Sequence, residues 1–404
     1  MTPLTLPPAL LELYEAALAP FTAEARRITP AGAAIFDAHT HLGLDEDGRS
    51  LDLAGLLGML DDAGAERACV FPLHDPERVP SYSVPNDRVL GWAGESGGRL
   101  IPFCRLDPAE DPLREAERCL GAGARGIKLH PRAQAFGFES TAMEGIFAIA
   151  EEASVPILIH AGRGLPPVGD SLADLALRHP GATLILAHAA ICDQGILTTR
   201  LADHPAVLYD TSCFFPVDLI GLFARVPAER IVFASDPPYG TTAAGLYMAL
   251  RVAAQTGLDE RSLRGVMGGT AASLFDTGSL PAVTRPRRGE TVVLSGRLAR
   301  VQSYAGLAGP AMFAGAPEQA LAMIDMALAA CRDPAPGDDG EALEMLSAGL
   351  SAVSALLREG EGTPLSVRCA IDLLFRCNVH AATTIPHNGF DEPVNAVGRL
   401  ADAV

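Results

Sequence analysis

The segment Asp37-Ala38-His39-Thr40-His41 spaces a carboxylate and two imidazoles at alternate positions. In an extended strand alternate side chains share a face, so Asp37, His39 and His41 point the same way. Two imidazoles so placed form half a metal site, because neutral imidazole binds zinc, iron, nickel or manganese but two donors do not hold a catalytic ion. Further donors must come from other strands. His160 ends the run VPILIH, His188 ends ATLILAH and Asp236 ends RIVFASD. A single histidine at a strand end is more often a hydrogen-bonded core or rim residue than a ligand. Gathered in one place, these ionisable groups are costly to bury unless a cation or a mutual network compensates them. Lys128 and His130, in GIKLHP, share an inward parity. Arg132 and Arg163 follow two of the runs, and a guanidinium can grip a carboxylate through paired hydrogen bonds. Equally, they read as solvated arginines in a very acidic chain. Tyr239, Phe214 and Phe215 complete the expected pocket lining.

Eight short β-rich runs carry these residues: 34–39, 67–73, 100–106, 124–130, 155–160, 182–188, 206–211 and 230–236. Segments with helical apolar spacing separate them, as in Leu53, Leu56, Leu57 and Leu60. Strand–helix alternation repeated eight times predicts a parallel sheet with crossover helices. Its length matches the roughly 250 residues of a closed (β/α)8 TIM barrel better than an open doubly wound sheet. In that barrel the strand ends form the active face. Residues 8–27 predict a lead-in helix placed to close the bottom of the barrel. Beyond residue 280 the rhythm changes, and three helical patterns follow near 316–332, 338–358 and 364–381. The expected organisation is a lead-in helix over 1–30, a barrel over 31–280 and an all-helical accessory domain over 281–404.

Composition excludes several classes. The formal net charge of −18 in 404 residues opposes binding to nucleic acid or anionic lipid. An apolar share of 49% and a charged share of 20% suit a folded globular chain. No secretion signal or membrane span is read from the sequence, and eight scattered cysteines without a C-x-x-C pair read as reduced thiols, which together point to the cytoplasm. No Gly-rich phosphate loop or G-x-S-x-G elbow competes with the histidine–aspartate set.

Taken in order, DAHTH, GIKLHP, VPILIHAG, LILAHAA and FASDPPYG resemble the amidohydrolase superfamily, most closely the amidohydrolase-related branch that also includes aminocarboxymuconate-semialdehyde decarboxylase-like enzymes. The resemblance runs from about residue 34 to 276 and does not cover the helical tail. It implies that His39, His41, His160 and Asp236 bind one divalent transition metal, with zinc the expected ion, and that Asp236 and His188 handle protons. Some relatives bridge two metals through a carboxylated strand-four lysine, so Lys128 is the position for a second metal; an ammonium paired with Asp236 or with substrate is the competing reading. Lys128, His130, Arg132 and Arg163 are the second-metal or substrate-contact candidates. Thr270, in GGTAASLF, replaces the asparagine common in that branch and still offers a helix cap. The leading expectation is hydrolysis of an ester, lactone or amide of a small, anionic substrate through a metal-activated water. Non-oxidative decarboxylation with the same ligands is the alternative. A non-catalytic metal-binding barrel whose tail docks a partner protein ranks third. The expected partner is a small molecule, with self-association left open.

Overall fold

The computed structural model describes residues 6–286, 294–332, 339–360 and 362–383. Eight parallel strands form the centre: Ile35–Leu44, Ala65–Pro72, a third in two pieces (Leu100–Pro102 and Cys104–Arg105), Ile127–Leu129, Ile157–Ile159, Leu184–Leu186, Val207–Asp210 and Ile231–Val232. Two sheets meet at two seams. At one, Phe103 N–H donates to Val70 O at 2.8 Å; at the other, Ala38 N–H donates to Phe233 O at 2.8 Å and Asp236 N–H to His39 O at 2.9 Å. The ring is therefore closed, and the eight predicted runs are its staves.

Alternation along each strand divides the side chains between two cores. Phe36, Ala38, Cys69, Phe71, Leu158, Ile185 and Leu208 fill the interior. Ile35, Cys104, Leu106, Ile127, Leu129, Ile157 and Leu184 face the surrounding helices. By the same parity Arg105 and Lys128 point inward, and they are paired in register across the third and fourth strands.

The barrel floor differs from expectation. Helix Thr270–Thr277 plugs it, with Leu274 and Phe275 in the interior core and the Phe275 ring stacked on Phe36 at 5.5 Å. Its approach to the first strand needs Gly268, because a Cβ there would collide with Ala34 O and lie 3.0 Å from Phe36 N. The lead-in helix, Pro8–Ile28, instead lies on the side of the barrel, between helix Thr242–Gln255 and the C-terminal helices. Its amphipathic stripe had no unique partner in the sequence, and a larger apolar surface claims it.

Among the described residues the C-terminal region holds four helices, one more than the three expected: Gly296–Phe313, Pro317–Cys331, Gly340–Glu359 and Pro364–Ala382. The first escapes pattern reading because Gly296, Gly306, Gly309 and Pro310 lower its propensity. Tertiary burial of Leu298, Val301, Ala305 and Ala308 overrides that cost. Residues 287–293, shortly after the expected boundary at residue 280, lie outside the described residues. Gly340–Glu359 is long and apolar enough to cross a membrane by length and composition, yet Leu343, Leu346, Leu350, Val353 and Leu356 are buried in the bundle.

A polar seam joins bundle and barrel. Asp372 accepts from Thr241 Oγ1 at 2.7 Å, Arg376 Nε at 3.0 Å and Tyr14 OH at 3.2 Å. Arg251 pairs with Glu24 at 2.6 Å and donates to Thr383 Oγ1 at 2.8 Å, while Tyr247 OH bridges Glu24 and His380. The arginines and carboxylates are satisfied on both sides, so their burial is compensated.

Candidate metal centre

Every predicted ligand emerges at the C-terminal mouth of the barrel. His39 Nε2 lies 3.3 Å from His41 Nε2 and 3.1 Å from Asp236 Oδ1, which is 3.1 Å from His41 Nε2. Such a triangle approximates one face of a coordination shell whose vertices lie about 2.1 Å from a central ion. His188 belongs to the same buried cluster, since one atom each from His39, His188 and Asp236 lie within 4.8 Å of one another. His160 stands beside it, with Nδ1 3.0 Å from His188 Nε2.

Hydrogen bonding fixes how these imidazoles present themselves. His39 Nδ1 faces Asp210 Oδ2 at 2.7 Å, and a carboxylate only accepts, so the proton sits on Nδ1 and Nε2 offers its lone pair. His188 Nδ1 faces the Ser212 carbonyl at 2.7 Å, which leaves Nε2 as its acceptor. His160 Nδ1 then donates to His188, and His160 Nε2 is a buried lone pair with no hydrogen-bond partner. Gly162 makes room for this pair, because a Cβ there would sit 3.0 Å from both rings.

Charge tells the same story. Burial works against ionisation of Asp236 and Asp210, but His39 and their hydrogen bonds outweigh it and hold both carboxyls below the usual range. Burial keeps His41, His160 and His188 neutral, lowering His41 to about 3. His39 is the exception, since Asp236 and Asp210 overcome burial and the neighbouring Lys128 to raise it. Two buried carboxylates beside three neutral imidazoles are what a divalent cation compensates. The buried donors His39, His188 and Asp236, with His41 beside them, fit such an ion.

Backbone conformation contributes as well. Asp236 has φ of 60° and His188 φ of 56°, left-handed values that non-glycine residues adopt at a cost of about 1–3 kcal/mol. Asp236 N–H and His188 N–H are nonetheless anchored, to His39 O and to Asp210 Oδ1 at 2.8 Å. Asp37 sits one layer below, accepting from the Ser235 and His39 amides, and burial lifts it to about 7.

A cavity of about 550 Å³ opens above the cluster. Lys128 is fully buried, with Nζ 3.5 Å from His39 Nε2 and 4.5 Å from the centre of the Phe71 ring, rather than paired with Asp236. Burial lowers it to about 7. His130 stacks on His160 at 3.8 Å and accepts from Ala133 N–H, capping the short helix Pro131–Gln134. Arg132 lines the cavity and is exposed. Arg163 also lines it, but its guanidinium is committed to Asp218 at 2.6 Å and lies over Phe215. Tyr239 and Phe214 are in the wall, as expected.

Three lining or supporting residues were not singled out from the sequence. Asp210 ends the seventh strand as His188 ends the sixth, and that shared position was the available signal. Arg105 is betrayed only by its parity in FCRLDP. His74 follows the second strand with no pattern at all.

A closed (β/α)8 barrel with a histidine–aspartate centre at its mouth defines a class of metal-dependent enzymes. The family model described as Amidohydrolase matches residues 36–277, more than half of the chain, and the protein belongs to that family. No curated protein sequence matches it significantly. Among solved structures it is similar to a 2,6-dihydroxybenzoate decarboxylase complexed with 2,6-dihydroxybenzoate, with 16% identity over 61% of this chain and 99% of that one and a TM-score of 0.49. A 5-carboxyvanillate decarboxylase from Novosphingobium aromaticivorans, complexed with manganese, gives 16% identity, 61% and 98% coverage and 0.49. A probable 2-pyrone-4,6-dicarboxylic acid hydrolase from Acinetobacter baumannii gives 12%, 60% and 99%, and 0.46.

Proposed function

We propose that this enzyme is a metal-dependent hydrolase that opens an ester, lactone or amide of a small molecule in the cavity above His39, His41, His160 and Asp236. The observation that carries the reading is the ionised Asp236, whose Oδ1 lies 3.1 Å from both His39 Nε2 and His41 Nε2, inside a cavity that admits a small substrate. When bound, a divalent ion, for which zinc is our choice, supplies Lewis acidity toward water and a carbonyl oxygen. Asp236 accepts the proton of the attacking water, because its carboxyl stays ionised at neutral pH. His188, neutral and with Nε2 as an acceptor, orients that water by a second hydrogen bond. Asp210 holds the His39 imidazole in the tautomer this role needs and anchors the His188 backbone, while the Ser212 carbonyl sets the His188 tautomer.

Decarboxylation with the same residues is the second reading, favoured by two inward, buried basic side chains, Arg105 and Lys128, in the same cavity. The test is to screen lactones, esters, amides and aromatic carboxylic acids, and to run any hit in 18O-labelled water while following carbon dioxide. Label in the product without carbon dioxide is expected. Stoichiometric carbon dioxide with solvent deuterium on carbon and no solvent oxygen in the product overturns hydrolysis in favour of the second reading.

A further inference from the structure

Arg105 is a large cationic side chain only 1% exposed, yet it lines the cavity. Its guanidinium has five N–H donors. They meet Pro72 O at 3.3 Å, His74 Nδ1 at 3.3 Å and Gln134 Oε1 at 3.5 Å, all long, and its face covers the Tyr82 ring at 5.0 Å. Among the described residues no carboxylate pairs with it. Of the other arginines of the lining, Arg49 is paired with Asp47 and Arg163 with Asp218, while Arg132 is exposed to solvent, so Arg105 alone combines burial with the lack of a carboxylate. A buried guanidinium with neutral, long-range partners is normally strongly destabilising.

The surroundings are built to keep it charged and aimed. His74 Nδ1 must accept, since Arg105 only donates, so the Tyr82 hydroxyl at 2.5 Å donates to the same atom. Asn86 clamps the Arg105 backbone from both sides, accepting from its N–H at 2.8 Å and donating to its carbonyl at 3.0 Å. Lys128, its register partner on the next strand, adds a second inward basic group. Asp45, Asp47 and Asp236 also line the cavity, but Tyr239, Arg49 and the histidines engage them, so the two buried basic groups lack a paired carboxylate that an anion from outside would supply.

We infer that Arg105, supported by His74 and Tyr82, is the subsite for a carboxylate group of the substrate, so that the enzyme takes small carboxylated molecules and distinguishes them from their neutral analogues. The inference deepens the proposed hydrolase reading, and it rests on that reading for the cavity being the reaction site. It moves the anion-binding role from Arg132 and Arg163 to a side chain that is buried and unpaired. Burial lowers Arg105 from its usual range, and an incoming carboxylate reverses that penalty.

The experiment is calorimetric titration of the purified protein with glutarate and with its uncharged diamide, glutaramide. Wild type should prefer glutarate by at least about 30-fold, the scale of a charge-assisted, paired hydrogen bond. Arg105→Gln should abolish the preference and Arg105→Lys should weaken it, whereas Arg67→Gln, which removes a cation outside the cavity, should leave it intact. Circular dichroism melts identify variants that remain folded, and Arg105→Lys serves if the glutamine variant does not. Chelator-treated wild type should keep the preference. Equal binding of acid and diamide by wild type, a preference retained in Arg105→Gln, or one lost with the metal overturns the assignment. A carbon dioxide result that ends the hydrolase reading leaves this binding result standing, and failure here leaves the 18O result standing.

Discussion

Asp210→Asn replaces one buried oxygen with an NH2 group and tests how the site prepares its ligands. The native carboxylate accepts four hydrogen bonds: His39 Nδ1 at 2.7 Å, His188 N–H at 2.8 Å, Ser212 N–H at 3.0 Å and Ser212 Oγ at 2.6 Å. Asparagine can keep its oxygen toward the last three, which turns its NH2 toward His39. That donor forces the His39 proton from Nδ1 to Nε2, the nitrogen aimed at His41 and Asp236. Binding a metal then requires restoring the disfavoured tautomer, as well as losing a charge that raises ligand basicity. Altered partners of ligating histidines typically cost 10–100-fold in affinity, or about 1.4–2.7 kcal/mol. Competition against a chromogenic chelator measures the constant directly, and circular dichroism verifies the fold. Unchanged metal affinity in a folded Asp210→Asn protein would refute the claim that this carboxylate sets the His39 tautomer.

Lys128→Met should stabilise chelator-treated protein by about 2–4 kcal/mol at pH 6, with the gain fading as pH rises from 7 toward 10. The sign follows from a lysine lowered from 10.5 to about 7: between those values the unfolded chain binds the extra proton, so wild-type stability climbs with pH. Urea titrations at pH 6 and pH 10 check it, and an equal gain at both would be the wrong outcome. Gly268→Ala should cost about 1–3 kcal/mol, because backbone atoms of Ala34 and Phe36 cannot yield to a Cβ. An unchanged urea midpoint would contradict that contact.

The barrel and much of its centre were legible because both rest on short-range regularities. Period-two alternation put His39, His41 and Lys128 inward, and the ends of the fifth, sixth and eighth strands supplied His160, His188 and Asp236. Asp210 was passed over because an aspartate at a strand end is also what a turn requires. Arg105 was passed over because an arginine flanked by Cys104 and Leu106 reads as an ordinary surface position until its partners are known. Arg163 shows the converse: a loop arginine is equally free to find Asp218, 55 residues away, as a substrate. The floor helix and the first bundle helix were set by tertiary packing, which overrode weak local signals.

Thr241 lies five positions beyond Asp236, in the loop that also carries Tyr239, and its hydroxyl is held by Asp372 of the last described helix. The strand end that carries Asp236 is thus tethered on one side by the barrel and on the other by a segment more than a hundred residues downstream. Such a tether makes the left-handed turn at Asp236 a property of the whole chain. The last described helix thereby supports, through one buried aspartate, the loop that follows Asp236 at the mouth of the barrel.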